Sequence, residues 1–191
     1  MRLLLAHLNQ PYEWEEIPSR HVAPRMPEFL AINPNGRVPV LIVEDGTALP
    51  ESNAILHYLA SGTPYLPTGR LEQAQVVQWM CFEQDSHEPN LAVPRLLKRY
   101  PDDPRQANLP AMLEAGYRAL EVMEQHLATR MYMVGGTYSV ADICLYAYTH
   151  LAHEGGYDLE RFTAINGWMG RIRSQPGYIG IDTPPGVTSD H

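Results

Sequence analysis

Residues 33–41 read Asn-Pro-Asn-Gly-Arg-Val-Pro-Val-Leu, and residues 49–55 read Leu-Pro-Glu-Ser-Asn-Ala-Ile. The Asn-Pro-Asn-Gly stretch is a turn signal, and the apolar run Val38–Val43 after it predicts a β-strand. The pair Asp45-Gly46 predicts a tight hairpin turn into a second short strand, Thr47–Leu49. Ser52–Ser61 predicts a helix, because its apolar residues share one face, and Gly62 ends it. These residues therefore predict a turn, a hairpin and a helix in succession.

The segment before this region predicts further small elements. Met1–Leu8 predicts a helix with apolar residues nearly all round. Large apolar and charged residues alternate over Tyr12–Ile17, which is typical of a strand. Pro27–Ile32 predicts a short helical turn with proline at its first position.

The character of the chain changes after Pro64–Pro67, because only helical periodicity follows. The layout predicts a small α/β domain over residues 1–62, a linker over 63–67 and a helical domain over 68–191. The helices predicted in that second domain are Leu71–Glu83, with bends or breaks at Pro89 and Pro94, then Pro110–Ala128, Ser139–His153 and Leu159–Ser174.

Composition narrows the class of protein. The chain has 191 residues and a net charge of −8, which disfavours binding to nucleic acid phosphates. No apolar stretch is long enough to span a bilayer, and the first residues lack a cleavage site typical of a signal peptide. We therefore expect a cytoplasmic protein. Cys81 and Cys144 are too few for a disulfide framework, and their apolar neighbours predict two buried free thiols.

Taken as a set, the two quoted segments resemble the glutathione-binding signature of the cytosolic-type bacterial glutathione S-transferases. Ser139-Val140-Ala141-Asp142 likewise resembles the N-capping box of that family's helical domain. The resemblance covers nearly the whole chain. It implies an α/β thioredoxin-like N-terminal domain followed by an all-α C-terminal helical domain.

The resemblance implies a glutathione-binding site formed by Arg37, Val38, Pro39, Glu51 and Ser52. It implies a cis peptide bond before Pro39, with the main chain of Val38 pairing with the ligand as an added strand does. A helix start with a serine suits the carboxylate of a γ-glutamyl group, and Glu51 suits its ammonium. Arg37 suits the glycine carboxylate.

Each of these residues also has a simpler interpretation. Most X-Pro bonds are trans, and Pro39 could merely end an edge strand. Glu51-Ser52 could be an ordinary acidic helix start with a serine cap. Arg37 could be an exposed loop arginine. His21 and Arg25, in the loop before Pro27, are weaker candidates for the same site.

The chain departs from the family at its start. Family members open with a strand and a loop carrying a Tyr, Ser or Cys that hydrogen-bonds the glutathione sulfur, whereas Arg2–Leu8 matches the family's first helix directly. The resemblance therefore gives no catalytic residue. Two interpretations follow: the protein extends upstream of Met1, or it is a truncated variant that compensates through local rearrangement or dimer contacts. In either case we expect the N-terminally truncated thioredoxin-like domain to be less stable than one extended upstream, because an interior strand would be missing.

Polar residues of the helical domain are weaker candidates. The resemblance places His87 and Asn90 near a second-substrate cleft, although an ordinary polar helix face explains them as well. His150 and His153 lie three residues apart on a predicted helix, but no third ligand has convincing spacing for a metal. We expect no metal site.

As a whole the resemblance implies conjugation of the glutathione thiol to a small hydrophobic electrophile, a detoxification reaction, by a homodimer with glutathione as co-substrate. Two alternatives stay open. One is a non-catalytic binding or scaffold module on the same fold, and the other is a glutathione-dependent reductase or peroxidase. Neither nucleic acid nor membrane is expected as a partner.

Overall fold

The computed structural model describes residues 1–17 and 26–184. The chain divides into two compact units. The first contains Met1–Ser61 and the described residues from Pro176 onward, and the second contains Gly62–Gln175.

The first unit is built around a hairpin and a helix. Its elements are α1 (Arg2–His7), α2 (Pro27–Ile32), β1 (Val40–Ile42), β2 (Ala48–Pro50) and α3 (Ser52–Ala60). The strands are antiparallel, with Leu41 opposite Leu49. The carboxylate of Asp45 accepts the Thr47 N–H at 2.9 Å and closes the turn. Hydrogen bonds from the side chain of Thr47 and then from its main chain lower the pKa of Asp45. The predicted hairpin is confirmed, although β1 is shorter than the predicted Val38–Val43 and β2 is shifted by one residue from the predicted Thr47–Leu49.

The core of the first unit forms where α1 packs against α3. Leu4 and Ile55 are fully buried, and Leu5, Leu56 and Phe29 nearly so. Helix α1 is the one predicted to be apolar nearly all round, and burial of its apolar surface stabilises the unit.

The C-terminal segment joins this first unit. Nδ1 of His7 lies 2.8 Å from the carbonyl oxygen of Pro176, and Arg2 donates to the carbonyl oxygens of Ile181 and Thr183. Gly177 has φ of 72° and comes close to the carbonyl of Ala6. The segment after the last helix is therefore anchored on α1.

The predicted strand at Tyr12–Ile17 is wrong. This segment has no regular secondary structure, because within the described residues no neighbouring strand pairs with it. Trp14 stays half exposed and stacks against the Arg2 guanidinium at 5.7 Å. Alternation of apolar and charged residues predicts an extended segment, but a strand also requires a hydrogen-bonded partner.

The second unit is helical. Its helices are α4 (Arg70–Phe82), α5 (Glu88–Leu97), α6 (Leu109–Leu127), α7 (Val140–Thr149), α8 (Ala152–Gly155) and α9 (Thr163–Arg173). A π-helical turn, Glu83–His87, joins α4 to α5, and a 3₁₀ turn, Pro104–Asn108, precedes α6. No helix of the described residues combines the length and the apolar character that crossing a bilayer requires.

The predicted capping box is present at the start of α7. The Asp142 carboxylate accepts the Ser139 N–H at 3.0 Å and the Ser139 hydroxyl at 3.2 Å. It also accepts the Met133 N–H at 2.9 Å and the indole N–H of Trp168 at 2.8 Å. Asp142 is fully buried, and this desolvation raises its pKa to about 6 despite the hydrogen bonds. Asp142 thus ties α7, α9 and the preceding loop together.

Two details of the helical unit differ from expectation. The helix predicted over Ser139–His153 is interrupted at His150 and Leu151, so that α7 and α8 are separate. Cys144 is buried as predicted, and burial raises its pKa. Cys81 is exposed, because it lies on α4 beside buried Met80 but on the outward face.

Candidate functional site

The register of the hairpin decides which residues meet. Antiparallel pairing sets Val40 opposite Pro50. Residues just before β1 and residues just after β2 therefore lie at the same end of the hairpin. The Val38-Pro39 pair and the Glu51-Ser52 pair are those residues, so two motifs that are separated along the chain become neighbours.

Glu51 is held in an unusual conformation at the start of α3. It is the N-cap residue, with φ of 73° and ψ of 115°. Positive φ is sparsely populated by residues other than glycine and is often found at functional sites. The first helical hydrogen bond runs from the Ile55 N–H to the Glu51 carbonyl at 3.0 Å. At such a helix start the N–H groups point outward and favour an anion, and Ser52 is half-buried there.

Val38 presents its main chain at this end of the hairpin. Its peptide bond with Pro39 is cis, which confirms what the resemblance implies. The residue is 55% exposed. Within the described residues, no hydrogen bond engages the main chain of Val38. The N–H and carbonyl are therefore available to an extended ligand.

Arg37 precedes this pair and is exposed. Its carbonyl accepts a hydrogen bond from the side chain of Asn33 at 2.7 Å, so its main chain is fixed. In the described part of the chain no acidic side chain forms a salt bridge with its guanidinium. His21 and Arg25 lie outside the described residues.

The sequence-based interpretation missed two asparagines. Asn33 is 2% exposed, and its Oδ1 accepts the Asn35 N–H at 3.1 Å. Asn35 in turn donates from Nδ2 to Oε1 of Glu51 at 3.3 Å. The signal was the Asn-Pro-Asn-Gly turn, since asparagine side chains commonly hydrogen-bond the main chain two residues on. The contact with Glu51 depends on the tertiary fold.

The two weaker candidates of the helical unit, His87 and Asn90, lie in different environments. His87 is fully buried, and its Nε2 lies 2.8 Å from Oγ1 of Thr149, so it meets no solvent. Asn90 donates to the Ser86 carbonyl at 2.8 Å. It lines a groove of about 260 Å³ between the α4–α5 segment and α6, with Phe82, Asp85, Ser86, Ala115, Arg118, Ala119 and Val122.

His150, one of the two histidines considered for a metal, has other contacts. Nδ1 of His150 lies 2.6 Å from the Tyr146 carbonyl oxygen, and the ring stacks on Tyr146 at 4.5 Å. Glu154 accepts from Arg95 at 2.7 Å and from Arg99 at 3.3 Å. Across residues 1–17 and 26–184, no group of three His, Cys, Asp or Glu side chains could hold a metal ion.

Two family models match this chain. Residues 1–61 match the model described as glutathione S-transferase, N-terminal domain. Residues 79–176 match the model described as glutathione S-transferase, C-terminal domain. The first match spans residues 1–61 of the first compact unit, and the second covers most of the second unit.

Similar proteins of known structure or sequence agree with these matches. A glutathione S-transferase of Pseudomonas fluorescens Pf-5 is 46% identical, with a TM-score of 0.91 over 95% of this chain and 92% of that one. A possible glutathione S-transferase of Rhodopseudomonas palustris is 43% identical, with a TM-score of 0.92 over 96% and 84%. The glutathione S-transferase-like protein LUC7 of Fusarium sp is 32% identical over 199 residues, or 97% of this chain and 89% of that protein.

Proposed function

The chain belongs to the glutathione S-transferase family, and on that premise we propose that it binds glutathione in its first unit and conjugates the thiol to a small hydrophobic electrophile. The proposed site consists of Arg37, Val38, Pro39, Glu51 and Ser52. The observation that carries the proposal is the hairpin register, which brings the main chain of Val38 beside Glu51 and the start of α3.

Each residue has a chemical role in this proposal. The Glu51 carboxylate pairs with the α-ammonium of the γ-glutamyl group, as opposite charges at hydrogen-bond distance do. The Ser52 hydroxyl and the N–H groups at the start of α3 bind the α-carboxylate. The N–H and carbonyl of Val38 pair with the cysteinyl main chain in the manner of strand addition. Arg37 binds the glycine carboxylate.

Catalysis would consist of bringing the thiol and the electrophile together and favouring the thiolate. We assign no residue to the thiolate, because the motifs of this sequence supply none. The proposal includes a cytoplasmic homodimer that acts in detoxification. Glutathione is the co-substrate, and no metal takes part.

Two other functions use the same fold. A non-catalytic binding or scaffold module would need no thiolate-stabilising group. A glutathione-dependent reductase or peroxidase would use the same γ-glutamyl site with different chemistry. Val38 is exposed and its main chain has no hydrogen bond among the described residues. This feature, together with Glu51-Ser52, favours glutathione binding in either catalytic case, since a pure scaffold has no use for it.

Calorimetric titration of the purified chain with glutathione tests the proposal. We expect binding that Ser52→Ala weakens by roughly 10- to 150-fold, since one hydrogen bond to a charged group is worth about 1.5–3 kcal/mol. Ser61→Ala is the matched control, because Ser61 lies at the opposite end of the same helix. Its affinity should equal that of the unsubstituted chain.

Two results would contradict the proposal. A folded chain that does not bind glutathione would favour the scaffold module. Binding that Ser52→Ala leaves unchanged would place the ligand elsewhere. If binding is found, absorbance assays with chlorodinitrobenzene, a disulfide or a hydroperoxide separate transferase, reductase and peroxidase chemistry.

A further inference from the structure

Asn35 lies outside the residues assigned above, yet its side chain touches one of them. Its Nδ2 donates to Oε1 of Glu51 at 3.3 Å. In the part of the chain that the structure describes, this is the only hydrogen bond to the Glu51 carboxylate. The second oxygen, Oε2, is therefore open to a ligand.

Asn35 does not stand on a free loop. Its main-chain N–H donates to Oδ1 of the buried Asn33 at 3.1 Å. The other end of the same amide, Nδ2 of Asn33, donates to the Arg37 carbonyl at 2.7 Å, and the Gly36 N–H donates to the Asn33 carbonyl at 2.9 Å. One buried side chain thus fixes both flanks of Asn35, while Gly36 supplies the positive φ of 65° that the turn requires.

The carboxylate of Glu51 gains from such support. Glu51 is exposed, and ordering a long, flexible side chain on binding costs free energy. A donor that already holds one oxygen reduces this cost before the ligand arrives. An amide is suited to the task because it is neutral, so that the negative charge remains available for an ammonium group.

We propose that Asn35 is a positioning residue of the glutathione site, holding the Glu51 carboxylate so that its second oxygen meets the free α-ammonium of a γ-glutamyl group. The inference rests on the proposed function. It adds a prediction about ligand specificity. The contribution of Asn35 to affinity requires a positively charged amine in the ligand and acts by way of Glu51.

Calorimetry on four proteins tests this: the unsubstituted chain, Asn35→Ala, Glu51→Gln and the double variant. We expect Asn35→Ala to raise the Kd for glutathione about fivefold, because the Glu51 side chain must then be ordered at the moment of binding. In the Glu51→Gln background the same substitution should change the Kd less than about twofold, because the partner charge is gone. N-acetylglutathione, which lacks the ammonium, should bind the unsubstituted chain and Asn35→Ala equally.

A matched control is Asn108→Ala, an exposed asparagine before α6 in the other unit, which should leave the Kd unchanged. Thermal midpoints of Asn35→Ala and the unsubstituted chain should agree, since Asn35 is exposed. An equal loss in both Glu51 backgrounds, an equal loss with N-acetylglutathione, or no loss would each refute the positioning role. If the unsubstituted chain does not bind glutathione, the proposed function is wrong and this inference falls with it.

Discussion

We expect His87 to make this fold sensitive to acid. The imidazole is fully buried in the π-helical turn between α4 and α5. The Thr149 hydroxyl donates its proton to the Leu145 carbonyl at 2.8 Å, so its oxygen accepts from Nε2 of His87. Nδ1 has no hydrogen-bond partner among the described atoms. A proton on Nδ1 would place an unpaired charge in the core.

The size of the effect follows from the pKa. Burial lowers the pKa of His87 from 6.5 to about 3. Below pH 6.5 the unfolded chain therefore binds a proton that the folded chain does not bind. The contribution of His87 to the free energy of unfolding is fully present above pH 6.5 and is lost as the pH falls toward 3. At about 1.4 kcal/mol per pH unit, the loss between pH 7 and pH 4 is about 3 kcal/mol.

Urea unfolding at several pH values, followed by circular dichroism, measures this loss. His87→Phe removes the titrating group, and the quantity to compare is the change in unfolding free energy between pH 7 and pH 4 rather than its absolute value. The variant should lose about 3 kcal/mol less than the unsubstituted chain. His153→Gln, a substitution of an exposed histidine, should behave like the unsubstituted chain.

Other buried groups do not obscure the comparison. The pKa of Asp142 is raised to about 6, so its contribution to stability is greatest below its ordinary pKa and is lost as the pH rises through 6. This effect opposes that of His87, but it is the same in both proteins and cancels in the difference. Equal pH dependence in His87→Phe and the unsubstituted chain would refute the argument.

Two predictions concern stability. The two carboxylate oxygens of Asp142 accept four hydrogen bonds. Asp142→Asn replaces one of these oxygens with a donor and leaves at least one buried N–H unpaired. We expect the free energy of unfolding in urea to fall by about 2–4 kcal/mol. Asp158→Asn, where an exposed carboxylate accepts one main-chain bond, should cost less than about 1 kcal/mol, and similar losses would contradict the role of Asp142. Gly116→Ala would place a methyl group 2.1 Å from the Tyr157 hydroxyl oxygen, so the thermal midpoint should fall by roughly 4–12 °C for a cost of about 2–3 kcal/mol. Gly170→Ala, with no heavy atom within 4 Å, should leave the midpoint unchanged or raise it slightly; equal shifts would show that the contact is easily relieved.

Local patterns in the sequence predicted those elements that depend on nearby residues. Pro27 at the first position of α2 and the Asp45-Gly46 turn were recognisable because proline and glycine restrict or free the backbone wherever they occur. The Ser139 and Asp142 capping box was recognisable because its two side chains are three residues apart. The bounds of β1 and β2 were less exact, since strand ends depend on pairing.

The remaining features depend on residues that are distant in the chain. Tyr12–Ile17 has the alternation of a strand but no partner strand in the described residues, and His87 looked like a polar helix residue although Thr149, on another helix, helps to bury it. The contact between Asn35 and Glu51 exists only because the hairpin reverses the chain between them.

The sequence by itself determined the family signature, the hairpin, the capping box and most of the helices, because turns, caps and periodicity act over a few positions. Only the tertiary structure decided which polar side chains are buried, which strand finds a partner and which asparagine supports Glu51. Burial and hydrogen bonding between distant segments depend on how the elements pack, and no local pattern encodes that packing.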